Sequence, residues 1–240
     1  MPTPSVTSVS VAPLAVLLPG TGSDEVLVRS AFAGPLAAAG IEVSTPPPPP
    51  GARLVAGYLE LLDSLTGRPL IVGGISFGAH LAAEWAVRHP DRCAGLLLAL
   101  PAWHGLPGAA PASLAARASA DLVTAYGLES ALRRSTDGVA PWLAAELTRA
   151  WRRHGEDLAV SLRAAADHPA PTLAELRGLG VPAGIAACVD DPVHPAAVAR
   201  TWAAALPRAA IRETTLDELG ADRASLGRAA ILAWQDAARR

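Results

Sequence analysis

Lysine is absent from the 240 residues; all 20 basic side chains are arginine, set against 22 acidic ones, for a net charge of −2. So balanced a charge disfavours the basic face that nucleic-acid binding needs. With the abundant alanine, the arginine bias reads as GC-rich coding, not as a functional signal. Cysteine is scarce: Cys93 and Cys188 fall on expected buried strands and make no disulfide framework. Residues 1–11 lack the charged and apolar regions of a signal peptide. No apolar run approaches the length of a membrane span. These absences point to a cytoplasmic protein with a small-molecule substrate, no nucleic-acid or membrane partner, and an oligomeric state left open. No metal site or cofactor is expected. No linker breaks the chain, so residues 1–240 are expected to form one α/β domain.

Apolar runs alternate with amphipathic stretches. Strands are expected at 14–18, 41–45, 70–75, 94–100, 182–189 and 211–216, with a short edge strand or a loose segment over 1–12. Helices are expected at 25–39, 52–65, 81–89, 196–206 and 221–238. Five prolines, Pro46 to Pro50, form a stiff spacer. Between Pro101 and Pro171 the patterns are only helical, around 112–126, 139–154 and 156–166, and read as a lid inserted at about 104–170. Alternating strands and helices imply a mostly parallel sheet flanked by helices, which binds ligands at the strands' carboxyl ends.

Leu70 to Ile75 runs directly into Gly74-Ile75-Ser76-Phe77-Gly78 and then into a helix. Strand, Gly-x-Ser-x-Gly and helix together make a nucleophile elbow. The glycines let strand and helix close tightly, leaving Ser76 at the tip in a strained conformation. A plain glycine-rich turn that happens to hold a serine is the alternative.

With the loop Pro19-Gly20-Thr21-Gly22 after the first core strand, and Asp190-Asp191-Pro192 after the penultimate one, the chain resembles the α/β-hydrolase superfamily over about 13–238, with the first strands reduced. The resemblance implies a serine hydrolase acting on esters or thioesters. Ser76 matches the nucleophile. The backbone N–H groups of Phe77 and Thr21 match the oxyanion hole, although Pro19 stands where the family has histidine. Asp191 matches the acid, with Asp190 the neighbouring choice, although an aspartate before proline also caps helices. Trp103 and His104, after the strand beside the elbow, are candidates to line the substrate pocket.

The family's base departs from the pattern. The loop after the last strand, Asp217-Glu218-Leu219-Gly220-Ala221-Asp222, holds no histidine, and none follows His194. His80 points back along the elbow helix and reads as packing. His89 suits a helix C-terminus, and His154 and His168 fall in the lid region. His194, three residues beyond Asp191, is either a relocated base, oriented by Asp190 or by an acid of Asp217-Glu218, or a rim residue that caps its helix. Without a base the serine hydroxyl is a poor nucleophile. A degenerate triad would then serve lyase or cyclase chemistry, or ligand binding. A nucleotide-binding domain, suggested by Gly20-Thr21-Gly22, lacks the third glycine, for which Glu25 stands.

Overall fold

The computed structural model describes residues 13–240, so the segment expected over 1–12 lies outside the described residues. Six strands form one sheet: β1 (Leu14–Leu18), β2 (Glu42–Ser44), β3 (Leu70–Ile75), β4 (Cys93–Ala99), β5 (Ala183–Cys188) and β6 (Ala209–Thr214). Their order is β2-β1-β3-β4-β5-β6, and every neighbouring pair is parallel. This is the α/β-hydrolase fold.

The central strands are apolar throughout because both faces are covered, as in sheets with helices on each side. On one face Val16, Leu18, Val72, Leu96, Leu98 and Ile185 pack with α2 (Leu54–Ser64), α3 (Phe77–Arg88) and α9 (Ala196–Ala205). On the other, Ala15, Leu17, Ile71, Leu97 and Ala186 pack with α1 (Glu25–Ala38) and α11 (Ala224–Ala238). Alternate residues of one strand serve opposite faces.

Between β4 and β5 the helices are α4 (Pro111–Tyr126), α5 (Leu128–Thr136), α6 (Pro141–His154), α7 (Leu158–Asp167) and α8 (Leu173–Arg177). The first four bury a small core of their own around Ala120, Leu132, Trp151 and Leu162. Three helices lie where none was expected. α5 sits in a stretch that reads as a break, α8 follows the lid patterns behind a Thr172–Glu175 capping box, and α10 (Leu216–Ala221) starts two residues after β6, capped by Thr215. The elbow helix begins at Phe77 instead of Leu81, because its first turn is the elbow itself.

Candidate active site

The elbow is built by contact between backbones. A Cβ on Gly78 would lie 2.1 Å from the Leu18 carbonyl oxygen, and one on Gly74 2.3 Å from the same atom. Only hydrogen fits at either position, so β3 turns into α3 against the end of β1. Ser76 is left at φ 54°, ψ −116°, a conformation that costs a non-glycine residue about 1–3 kcal/mol and persists only when its surroundings enforce it. Here the Ser76 N–H donates to the Ala99 carbonyl of β4 at 2.8 Å, and the Ser76 carbonyl accepts from Ala79 and His80.

The imidazole that the final loop lacks comes from the loop after β5. His194 Nε2 is 2.9 Å from Ser76 Oγ, and His194 Nδ1 is 2.8 Å from Asp191 Oδ2. With Nδ1–H donating to the carboxylate, Nε2 is left as the acceptor for the hydroxyl. Asp191 Oδ1 accepts from the backbone N–H groups of Val193, at 2.8 Å, and His194, at 3.1 Å. Burial pushes the Asp191 carboxyl up, but the His194 hydrogen bond and charge and the two backbone donors outweigh it and hold it below its ordinary value. Asp190 turns away and accepts from the Leu216 N–H at 2.8 Å, tying this loop to the start of α10. Leu216 and Leu219 of α10 line the cavity instead of a histidine.

Thr21 lines the cavity, and a Cβ on Gly20 would approach the Cβ of Ser76 to 3.4 Å. Neither the Thr21 nor the Phe77 N–H has an acceptor among the described residues. Phe77 itself packs in the core, where its ring meets those of His80 and His168.

Trp103 and His104 are placed differently from the expectation. Leu100 adopts φ 53° and lines the cavity, and the chain beyond it folds down onto α3. There the N–H groups of Ala102 and Trp103 donate to His80 Nε2, at 2.9 and 3.4 Å. Trp103 is buried in the core against His80, its carbonyl accepting from Trp202 Nε1 at 3.1 Å, and His104 is exposed. Neither lines the cavity. His80 is a packing residue, as its place on the helix suggested; burial lowers its pKa to about 3.

Above Ser76 is a cavity of about 480 Å3, lined mostly by apolar side chains from α1, α4, α6 and α10 and by the loops after β1 and β5. Its wall includes Trp142, Leu143, Leu147 and Trp151 from α6. This helix is fixed to the loop that bears Gly20 and Thr21. Arg149 Nε and Nη2 donate to Oδ2 and Oδ1 of the fully buried Asp24 at 2.9 and 2.7 Å, and Arg149 also donates to Glu146. Arg153 pairs with Glu25 at 2.7 Å, and His154 Nε2–H donates to the Ser23 carbonyl at 3.0 Å. Burial raises the Asp24 carboxyl, but Arg149 and the N–H groups of Leu27 and Val26 outweigh it and hold it low. Sequence reasoning missed this cluster. Asp24 carries the signal of a helix cap, but its partner lies 125 residues away.

The model of the alpha/beta hydrolase family matches residues 5–224. The chain belongs to that family. No protein among the curated sequences matches it. Among solved structures it is similar to the enol-lactonase of Burkholderia xenovorans LB400, with TM-score 0.71 and 20% identity over 94% of this chain and 92% of that one. It is similar to a bromoperoxidase of Bacillus anthracis, with TM-score 0.73 and 16% identity over 94% and 92%. A thermophilic esterase of Thermogutta terrifontis aligns with TM-score 0.60 and 19% identity over 85% and 80%. At these identities the likeness is one of fold. No helix among the described residues is long and apolar enough to cross a membrane.

Proposed function

We propose that this member of the alpha/beta hydrolase family is a cytoplasmic serine hydrolase, active on a carboxylic ester or thioester of a small apolar metabolite. The observation that carries the reading is the unbroken chain Ser76 Oγ to His194 Nε2, and His194 Nδ1 to Asp191 Oδ2. Attack of Oγ on the acyl carbon transfers the hydroxyl proton to Nε2, and the imidazolium so formed faces the Asp191 carboxylate. The carbonyl oxygen, now negative, is received by the N–H groups of Thr21 and Phe77. Those donors act through the backbone, so Pro19 in place of the family's histidine leaves them available. Collapse expels the alcohol or thiol, which takes the proton from His194. Water, deprotonated by the same imidazole, then releases the acid and restores Ser76.

The helices α4 to α7 act as the lid of a single domain and supply the apolar wall. Neighbours described as an esterase and an enol-lactonase support cleavage of an acyl–oxygen bond. The degenerate-triad alternative rested on a serine without a base, and an imidazole at 2.9 Å removes its motivation.

A fluorophosphonate probe tests the reading. It is expected to label the wild type at Ser76, to fail with Ser76→Ala and to label His194→Ala far more slowly. A folded wild type that resists the probe overturns it.

A further inference from the structure

The charge of the cavity is one-sided. Among the described residues no arginine lines it, and the only carboxylates that do are Asp191 and Glu146. Asp191 is committed to His194. Glu146 Oε2 accepts from Arg149, but that guanidinium also donates to both oxygens of Asp24. One arginine thus serves two carboxylates, and the group keeps one negative charge. Glu146 Oε1 has no donor among the described residues, although its side chain is only 17% exposed. Facing an apolar wall, that free oxygen offers a ligand group that donates to it a charge-assisted hydrogen bond. A ligand carboxylate in the same place meets no cation, loses its water and is repelled by Glu146.

We propose that Glu146 is the specificity residue of this site, selecting esters or thioesters whose apolar portion carries a hydroxyl or ammonium group and rejecting those that carry a carboxylate. This rests on the hydrolase reading above. At about 480 Å3, and taking about 30 Å3 per water-sized group, the cavity holds a substrate of roughly sixteen non-hydrogen atoms. A site built to hydrogen-bond a substrate group discriminates strongly against the analogue that cannot return the bond.

The test uses two matched ester series on the whole protein. One is the p-nitrophenyl esters of hexanoic, 6-hydroxyhexanoic, 6-aminohexanoic and adipic acids. The other is the acetates of hexanol carrying the same terminal groups. In at least one series the hydroxyl or ammonium ester is expected to exceed the carboxylate ester in kcat/KM by about a hundredfold. Glu146→Gln is expected to shrink the ammonium-to-carboxylate ratio by at least about tenfold, chiefly through KM. Should that variant not fold, competitive inhibition of the wild type by hexylammonium and by hexanoate reads the same preference. Equal hydrolysis across both series, a ratio unchanged in Glu146→Gln, or inhibition by hexanoate as strong as by hexylammonium overturns the proposal and leaves the hydrolase reading standing. No hydrolysis in either series, together with a Ser76 that the fluorophosphonate does not label, overturns both.

Discussion

Asp191 and His194 hold one another within a single stretch of loop. Oδ2 accepts from the imidazole at 2.8 Å while Oδ1 accepts from the backbone N–H of the same histidine at 3.1 Å. The acid therefore fixes both the ring's tautomer and the path of the chain that carries the ring. Where acid and base lie on different loops, their relative placement depends on the packing of two segments; here it is a local property of four residues.

Asp191→Asn is accordingly expected to disable the imidazole. An amide at 191 leaves the imidazole in the wrong tautomer and lowers kcat by about 10³–10⁴-fold. His194→Ala is expected to lower it by a similar factor, and the double variant by no more than the worse single one, because residues that act as a unit are not additive. Steady-state kinetics on the best ester found checks both. Independent, multiplying losses would mean that the two side chains do not work together.

The strand-and-helix alternation and the elbow were legible in the sequence because the signals are local. Continuous apolar runs, Gly74 and Gly78 each state their requirement within a few residues. The acid loop was legible for the same reason, since Asp191 stands before Pro192 at the end of an apolar strand; that Asp191, and not Asp190 or Asp217-Glu218, would face His194 was not. The direction in which His194 points was not, because it depends on β5 delivering the loop beside Ser76. Trp103 and His104 misled because their place after a central strand suggested the cavity mouth. The left-handed Leu100 and the Nε2 acceptor of His80 turn the chain away instead; a leucine gives no sign of a positive φ, and His80 lies 23 residues from Trp103.

Arg149 is expected to matter for rate more than for binding. It ties α6 to Asp24, whose carboxylate caps α1 three residues beyond Thr21. Removing the guanidinium leaves a fully buried carboxylate unpaired, and the loop that presents the Thr21 N–H is the part free to shift. Arg149→Met is therefore expected to lower kcat by roughly ten- to a hundredfold with KM for a simple ester changed far less. Its affinity for a boronic-acid analogue of the tetrahedral species should fall in proportion to kcat/KM. Arg149→Lys, which keeps the charge without the fork, should recover only part. A loss confined to KM would place Arg149 in the substrate's binding wall only.

Stability is expected to fall on mild acidification through His80. Its ring is neutral in the fold because burial lowers its pKa to about 3, whereas in the unfolded chain it titrates near 6.5. Between those values the unfolded state binds the proton and the fold does not. The stability this residue contributes is thus fully present above about pH 6.5 and is lost at up to about 1.4 kcal/mol per pH unit below it. Urea midpoints for the wild type and His80→Gln from pH 7.5 to 4.5 check this. The variant, which loses packing on Trp103 and Trp202, should be less stable at pH 7.5 but show a flatter acid limb. Parallel limbs would remove His80 as the cause.

The glycine at 78 is expected to be the least replaceable residue of the elbow that plays no part in the chemistry. An added methyl there meets the Leu18 carbonyl oxygen at 2.1 Å and the Pro19 carbonyl at 2.7 Å. Both are backbone atoms on the strand and loop that bring Gly20 to Ser76, so neither can yield as a flexible side chain would. Gly78→Ala is expected to cost at least about 3 kcal/mol, read as a lowered denaturant midpoint with the slope preserved. Gly180→Ala provides the contrast. Nothing among the described residues lies within 4 Å of its added methyl, so loss of freedom in the unfolded chain should leave it neutral or raise stability by up to about 1 kcal/mol. Similar midpoints for the two variants would mean that β1 and α3 do not pack as closely as the elbow requires, and that Ser76 is not held in its strained turn.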